Sequence, residues 1–308
     1  MIKEYKFIPI TKDESGSRLD RVINKRYPYL NQARIEKSLR SKLIIVNQHK
    51  AASNYRVDIG DHVQIAVTLI QENYSSYKDN KQITEADIRL ITDNIIYRDA
   101  DLIVINKPAG LAVQGGSKIK VSIDDIMPSM LKSLEIWDQP IHKLVHRLDK
   151  ETSGILLIAL NNRTAAELAY AFKEHNVEKK YLAVLTGRVE INNGQISSYI
   201  NRESNQVGED NAITNYKVIS KKTHASLVEF KPITGKTHQL RLHSLELGFP
   251  ILGDVKYDPE LHNAKGMNLH LHAAEITFPY QGSYLRLKAE LPEYFKKSIK
   301  EIFGSVKI

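Results

Sequence analysis

The apolar stretch GILLIAL at residues 154–160 constrains the fold more than any other feature of the sequence. It is far shorter than the roughly 20 residues that a membrane-spanning helix needs, and no other apolar run approaches that length. A short apolar run without polar alternation predicts a strand that is buried inside a sheet. The sequence therefore predicts a globular domain that contains this strand in its core.

Patterns after residue 85 place further strands and helices along the chain. Strands are predicted at residues 95–97, 102–105, 180–185, 224–230 and 269–278. Helices are predicted at residues 162–175 and 237–247, with Thr237 as the N-cap of the second and Gly248 as its C′ residue. Because helices do not alternate strictly with strands, a doubly wound nucleotide-binding fold is disfavoured. We predict an α+β fold with a mostly antiparallel, mixed sheet.

A small basic unit, residues 16–69, precedes this domain. Residues 17–23 begin an amphipathic helix, and Asn31 is expected to cap a second helix over residues 32–41. The two helices carry a basic flank that consists of Arg18, Arg21, Arg34, Lys37 and Arg40. We interpret residues 1–15 as an N-terminal extension. The polar residues 70–84 are interpreted as a linker to a domain over residues 85–308.

Composition narrows the classes of function. Lys and Arg number 44 and Asp and Glu number 36, which gives a formal net charge of +8. This balance favours a polyanionic partner without proving one. The absence of cysteine excludes a disulfide scaffold, a thiolate zinc site and a cysteine nucleophile. The N-terminus is broken by charges and lacks the apolar segment of a signal peptide, so we expect a cytoplasmic protein without membrane association.

Motifs for bound cofactors and metals are missing from the sequence. No G-x-G-x-x-G follows a predicted strand, and Phe230 occupies the first glycine position of a phosphate loop that would end in Gly235-Lys236-Thr237. His238 and His243 are five residues apart, which does not put both on one helical face, and no H-E-x-x-H is present. We therefore expect no cofactor, no nucleotide and no metal.

The segment around Asp149 is the most informative part of the chain. A short strand enters at residues 142–145, a polar loop carries Asp149, and the buried strand leaves at residue 154. Considered alone, Asp149 is most simply a turn residue whose carboxylate accepts bonds from backbone N–H groups.

A family resemblance changes that interpretation. Residues 146–154 match H-R-L-D-x-x-T-S-G, which resembles the signature of the RluA-type pseudouridine synthases. Further similar segments follow in the family's order, at residues 106–111, 180–183, 235–243 and 252–254. Residues 16–67 resemble an S4 RNA-binding domain, and together with residues 110–117 they make the chain most similar to the C-type subgroup that acts on the large ribosomal subunit. The resemblance implies a small S4-like domain followed by a pseudouridine synthase domain.

The resemblance also implies roles for individual residues. Asp149 corresponds to the catalytic nucleophile, Tyr181 to the active-site tyrosine and Arg241 to the active-site arginine. We expect Arg241 to lie beside Asp149 as the cation that keeps it ionised, and Tyr181 to stack on the uracil or to help remove its C5 proton. Arg147 could fill the gap left by a flipped uridine. The other expected RNA contacts are His146, Thr152 and Leu240, with the basic flank Arg18, Arg21, Arg34, Lys37 and Arg40.

The expected function is isomerisation of specific uridines to pseudouridine in large-subunit (23S) ribosomal RNA. The expected partner is 23S rRNA or a large-subunit assembly intermediate, bound by a monomer. Two alternatives stay open: a synthase that acts on tRNA, and a non-catalytic RNA-binding factor in ribosome assembly. The complete set of Asp149, Tyr181 and Arg241 favours an enzyme, because a protein that only binds RNA does not need it.

Overall fold

The computed structural model describes residues 4–12, 14–27, 30–70, 83–116, 119–136, 142–200, 211–258, 260 and 266–306. The chain divides into two compact units. The first lies within residues 1–82 and includes part of the short segment 116–120. The second lies within residues 83–115 and 121–308. Most of the expected linker, residues 71–82, lies outside the described residues.

The first unit packs two helices on a three-stranded antiparallel sheet. Its elements are β1 (Tyr5–Ile8), α1 (Leu19–Arg26), α2 (Gln32–Arg40), β2 (Ile44–Val46) and β3 (Val63–Ala66), with the strand order β1-β3-β2. As predicted, Asn31 caps α2 by accepting a hydrogen bond from the backbone N–H of Arg34. Leu19, Ile23 and Ile35 are fully buried between the helices and the sheet.

The segment interpreted as an N-terminal extension contributes a strand to the first unit. Tyr5–Ile8 pairs antiparallel with Val63–Ala66 along its whole length. Ile8 is buried in the core of this unit. The strand is only four residues long, and its pairing partner is more than 50 residues away, so no local pattern revealed it.

The second unit contains ten strands and five helices in its described residues. The strands are β4 (Ile95–Arg98), β5 (Leu102–Lys107), β6 (Lys143–Leu144), β7 (Ser153–Ala159), β8 (Glu178–Leu185), β9 (Asn193–Ser198), β10 (Ala212–Lys222), β11 (Ala225–Pro232), β12 (Leu271–Tyr280) and β13 (Ser283–Lys288). The helices are α3 (Glu85–Thr92), α4 (Ile123–Ser133), α5 (Asn162–Lys173), α6 (Gln239–Glu246) and α7 (Glu293–Phe303).

These strands form one mixed sheet with the order β4-β5-β7-β12-β8-β11-β10-β9. Two further strands lie outside this order: β13 pairs with β12, and β6 pairs with β7. β12 runs parallel to β7, whereas the other described pairs are antiparallel. The prediction of a mostly antiparallel, mixed sheet in an α+β domain is confirmed. β7 lies inside the sheet and all seven of its residues are buried, as the apolar run predicted.

Helices cover both faces of the sheet around β7. Leu156 and Ile158 of β7 pack with α4 on one face, while Ile155 and Leu157 pack with α5 on the other. This alternation follows from the two-residue period of a strand. None of the helices in the described ranges has the length and apolarity needed to cross a bilayer.

Sequence analysis missed three helices, α3, α4 and α7. Two of them begin with capping boxes: Thr84 and Asp87 exchange hydrogen bonds at the start of α3, and Ser122 and Asp125 do so at the start of α4. The spacing of a hydroxyl residue and an acidic residue three positions later is a known start signal, so these helices could have been found.

Candidate active site

A cavity of about 510 Å³ lies on the second unit. Its walls come from the loop between β6 and β7, the end of α5, the start of β8, and the segment that leads into α6. Asp149, Tyr181 and Arg241 all line it, although they are far apart in the sequence. The structure therefore brings the three expected catalytic residues to one place.

The loop that carries Asp149 is held by backbone hydrogen bonds. The N–H of Thr152 donates to the carbonyl of Asp149 at 3.1 Å, and the N–H of Gly110 donates to the carbonyl of Lys150 at 2.9 Å. The Asp149 side chain is 24% exposed, so it remains open to the cavity. The turn is therefore held by backbone groups, and the Asp149 carboxylate is not needed to form it.

Lys107 supports the same loop from behind. Its side chain is fully buried, and its Nζ donates to the carbonyls of Pro108, Leu111 and Lys150 at 2.8, 2.8 and 3.0 Å. Burial lowers the pKa of Lys107 to about 7. Lys107 lies in the segment 106–111, which resembles the family's pattern, but the sequence suggested no role for it. The structure shows that it ties residues 107–111 to the loop of Asp149.

Gly154 explains the end of the first motif. Its φ is +112°, and a Cβ at this position would lie 2.3 Å from the carbonyl oxygen of Ala273 in β12. The hydroxyl of the preceding Ser153 lies 2.9 Å from Nδ1 of His272, also in β12. Only glycine allows the backbones of β7 and β12 to approach this closely, and the parallel pairing begins at this point.

Arg241 is not paired with Asp149 as the sequence analysis expected. It is 6% exposed, and its guanidinium forms a two-pronged ion pair with Asp254, with Nε–Oδ2 at 2.7 Å and Nη2–Oδ1 at 2.5 Å. Asp254 follows Gly253, whose φ of +82° and close approach to Asn268 require glycine. The expected direct pairing is therefore wrong, because Asp254 offers the bidentate geometry that guanidinium groups favour.

The imidazole of His238 lies close to the Asp149 carboxylate. Its Nε2 lies 3.7 Å from Oδ2 of Asp149. Its Nδ1 lies 2.7 Å from the hydroxyl of Tyr257 and 3.1 Å from Nζ of Lys256. Burial lowers the pKa of His238, against the opposing pull of the Asp149 charge. Because the Lys256 ammonium can only donate, Nδ1 is the acceptor and the neutral ring carries its proton on Nε2, toward Asp149.

The sequence analysis missed this role of His238 and also misplaced the start of α6. His238, not Thr237, occupies the N-cap position, with a left-handed φ of 55°. That conformation is uncommon for residues other than glycine. It begins the helix one residue later than predicted and places the imidazole in the cavity beside Asp149.

Tyr181 lies in β8, between β11 and β12. It pairs with Phe230 on one side and with Ala273 on the other. Burial, reinforced by the charge of Asp149, raises the pKa of the Tyr181 phenol. The hydroxyl is therefore protonated at neutral pH.

The four other residues predicted near the substrate also line the cavity. Arg147 is exposed, whereas Thr152 and Leu240 are buried. His146 accepts a hydrogen bond from the N–H of Leu157 at 2.9 Å and stacks on Phe172 with ring centroids 4.8 Å apart. Burial lowers its pKa to about 3, so the ring is neutral and its Nε2 is occupied by the protein backbone.

The basic flank lies in the first unit, where one of its residues, Arg18, is already paired with a carboxylate. Arg21, Lys37 and Arg40 are exposed, and Arg34 is half-buried. Arg18 donates to both carboxylate oxygens of Asp20, at 3.1 and 2.6 Å. Three of the five predicted phosphate contacts therefore have exposed side chains.

Within the part of the chain that the structure describes, no three His, Asp or Glu side chains are grouped as a metal site would require. The cavity contains a carboxylate, a protonated phenol, a neutral imidazole and cationic side chains. This set can support attack by a carboxylate and transfer of a proton.

Comparisons with known proteins agree with this chemistry. The sequence model described as RNA pseudouridylate synthase matches residues 101–246. A Rickettsia bellii protein named ribosomal large subunit pseudouridine synthase C is 43% identical over 298 residues, which cover 92% of this chain and 97% of that protein. An Escherichia coli protein of the same name is 29% identical and is covered to 96%. The solved structure of human RNA pseudouridylate synthase domain containing 4 shares 29% identity with a TM-score of 0.63, covering 76% of this chain and 99% of that one.

The mixed sheet and a cavity built around a loop aspartate define an enzyme of the pseudouridine synthase class. The chain belongs to the RNA pseudouridylate synthase family. Within it, the chain is of the type represented by the ribosomal large subunit pseudouridine synthases C.

Proposed function

We propose that this enzyme converts specific uridines of large-subunit ribosomal RNA to pseudouridine, with Asp149 as the nucleophile. The observation that carries the proposal is the meeting of Asp149, Tyr181 and Arg241 in one cavity. The Rickettsia bellii relative, whose name states a large-subunit activity, aligns over nearly its full length, so the comparison includes both units of this chain.

The reaction is an isomerisation, so its atoms balance without a co-reactant. The bond from the ribose C1′ to N1 of the uracil breaks, the base turns, and a bond from C1′ to C5 forms. The proton on C5 leaves and N1 gains one. The Asp149 carboxylate forms a transient covalent bond with the nucleoside and is released when the base rejoins the ribose.

The surroundings of Asp149 suit this role. The imidazole of His238 presents an N–H toward the carboxylate at 3.7 Å and can donate to it after a small movement. Arg241 contributes positive charge to the cavity while Asp254 holds it in place. Prearranged donors and charges of this kind stabilise an anionic nucleophile without reorganisation during the reaction.

Tyr181 is proposed to stack on the uracil and to take part in moving the C5 proton. Replacement of Tyr181 by Phe keeps the ring and removes the hydroxyl, so we expect RNA binding close to that of the native enzyme and a single-turnover rate reduced by about 10²-fold or more. The measurement is pseudouridine formation with enzyme in excess over RNA. A near-native rate would restrict Tyr181 to stacking.

The first unit is proposed to be an S4-like RNA-binding module. Two helices on a small sheet, with Arg21, Lys37 and Arg40 exposed on the helices, support this assignment. Phosphates are the natural partners of such a basic flank.

Replacing Arg21, Lys37 and Arg40 together by Gln should weaken binding to an rRNA fragment. The slope of log affinity against log salt should fall by about 2 to 3, because each phosphate contact contributes roughly 0.7 to 0.9. The matched control replaces the exposed Lys6, Lys12 and Lys50, which lie outside both helices. Equal loss in the two triple variants would mean that only net charge matters and would argue against a defined basic surface.

The proposed substrate is tested by mapping pseudouridines in cells that lack this gene. Specific positions of large-subunit rRNA should lose the modification, and the native gene should restore them. Loss confined to tRNA would support the tRNA alternative. An unchanged map in both RNAs, together with defective ribosome assembly, would support a non-catalytic assembly factor.

A further inference from the structure

Lys179 is a cationic residue of the cavity that the mechanism does not use. It lies two residues before Tyr181 in β8, so the pleat of the strand places both side chains on the same face. Both line the cavity that holds Asp149. Lys179 is therefore presented toward the space that the substrate would occupy.

The ammonium of Lys179 has no acidic partner among the described residues. Its neighbour Lys180 points to the opposite face, where Nζ lies 3.6 Å from Glu229 and 3.5 Å from Glu275. On the cavity face, Lys179 is partly buried, and burial lowers its pKa to about 8 with no carboxylate to oppose the effect. Lys180, on one face of β8, is thus paired with two carboxylates. Lys179, on the cavity face, has no such partner among the described residues.

The cavity wall around Lys179 is suited to an anionic ligand. Asp149 is the carboxylate residue among the described lining residues, whereas Arg147, Lys173, Lys179 and Lys236 are cationic. A partly desolvated ammonium without a counter-ion gains more from a bound anion than an exposed one does. The neutral His146 lies close enough to Lys179 for the ammonium charge to depress its pKa further.

We propose that Lys179 binds a backbone phosphate of the RNA strand beside the target uridine. The inference rests on the proposed function and adds the anchor that holds the nucleotide while the base turns. A phosphate at this position would lie on the same side of β8 as Tyr181. The contact would fix the strand on one side of the catalytic aspartate and leave the uracil free to rotate.

The test compares Lys179→Met, Lys179→Arg and the native enzyme on an rRNA fragment that the native enzyme modifies. Met keeps the aliphatic stem and removes the charge, and Arg keeps the charge. We expect Lys179→Met to bind about tenfold more weakly, with a salt slope shallower by roughly 0.7. Its single-turnover rate at saturating RNA should change less than threefold, and Lys179→Arg should recover most of the affinity.

The matched control is Lys297→Met on α7, whose side chain is 76% exposed and lies outside the cavity. It should retain native affinity and the native salt slope. Unfolding temperatures of all variants show whether the fold is kept. A fragment with neutral methylphosphonates at the phosphates flanking the uridine provides a second measurement that leaves the protein unchanged. This neutral fragment should bind the native enzyme more weakly than the unmodified fragment does. For Lys179→Met, the affinities for the two fragments should be nearly equal.

Native affinity and salt slope in Lys179→Met would overturn the inference. A reduced saturating rate with unchanged affinity would also overturn it, since Lys179 would then act on the chemistry. The inference would also be overturned if the methylphosphonates reduced RNA affinity equally in the native enzyme and in Lys179→Met. Failure of the proposed function is a separate result: the native enzyme would then make no pseudouridine in rRNA, whatever the binding measurements show.

Discussion

Replacement of Asp149 by Asn should abolish pseudouridine formation. The amide has nearly the same size as the carboxylate but is not a competent nucleophile, and we expect a rate loss of at least about 10⁴-fold. The loop should keep its shape, because it is held by backbone bonds of Thr152 and by Lys107 rather than by the Asp149 side chain. The measurement is single-turnover conversion of an rRNA fragment by the purified variant.

RNA affinity and the unfolding temperature are the controls for this variant. Both should stay close to the native values, since the Asp149 carboxylate makes no hydrogen bond within the described part of the chain and is open to the cavity. Retention of more than a trace of activity would mean that another residue is the nucleophile. Loss of folding would instead show that the carboxylate has a structural role.

Replacement of Arg241 by Met should reduce both stability and activity. The change leaves the carboxylate of Asp254, which is 1% exposed, without its guanidinium partner. Removal of one partner of a buried ion pair costs about 3–5 kcal/mol. Denaturant unfolding of the native enzyme and the variant gives this free energy, and the single-turnover rate shows the loss of activity.

A double-mutant cycle identifies the partner of Arg241. The double variant of Arg241→Met with Asp254→Asn should be less destabilised than the sum of the single variants, because contacting residues couple by about 0.5–3 kcal/mol. The combination with Asp149→Asn should be close to additive. Strong coupling to Asp149 and none to Asp254 would contradict the ion pair seen in the structure.

Several features of the site were accessible from the sequence because they are local. The apolar run at residues 154–160 predicted a buried strand, and Asp149 lies in the loop just before that strand. The motif segments identified Tyr181 and Arg241, and the structure places both in the cavity with Asp149. The individual catalytic roles of these residues stay predictions until the variants are measured.

Other features could not be predicted, because they depend on strand order. His238 reaches Asp149 through a left-handed N-cap, which is set by the path of the chain from β11 into α6. Asp254 reaches Arg241 through a turn that packs on residue 268. Neither contact has a periodic pattern that would reveal it.

The class of fold and the buried strand follow from the sequence alone, and so does the prediction of the residues that carry the family's chemistry. These features depend on short segments, whose hydrophobic period, turn residues and motif spacing can be recognised in the sequence. Which charged groups pair with each other depends on the tertiary structure. β12 lies between β7 and β8, and this order brings the loop of Asp149 and the strand of Tyr181 to one cavity. The same order places Glu229 of β11 and Glu275 of β12 beside Lys180, while Lys179, which faces the other side of the sheet, has no acidic partner among the described residues.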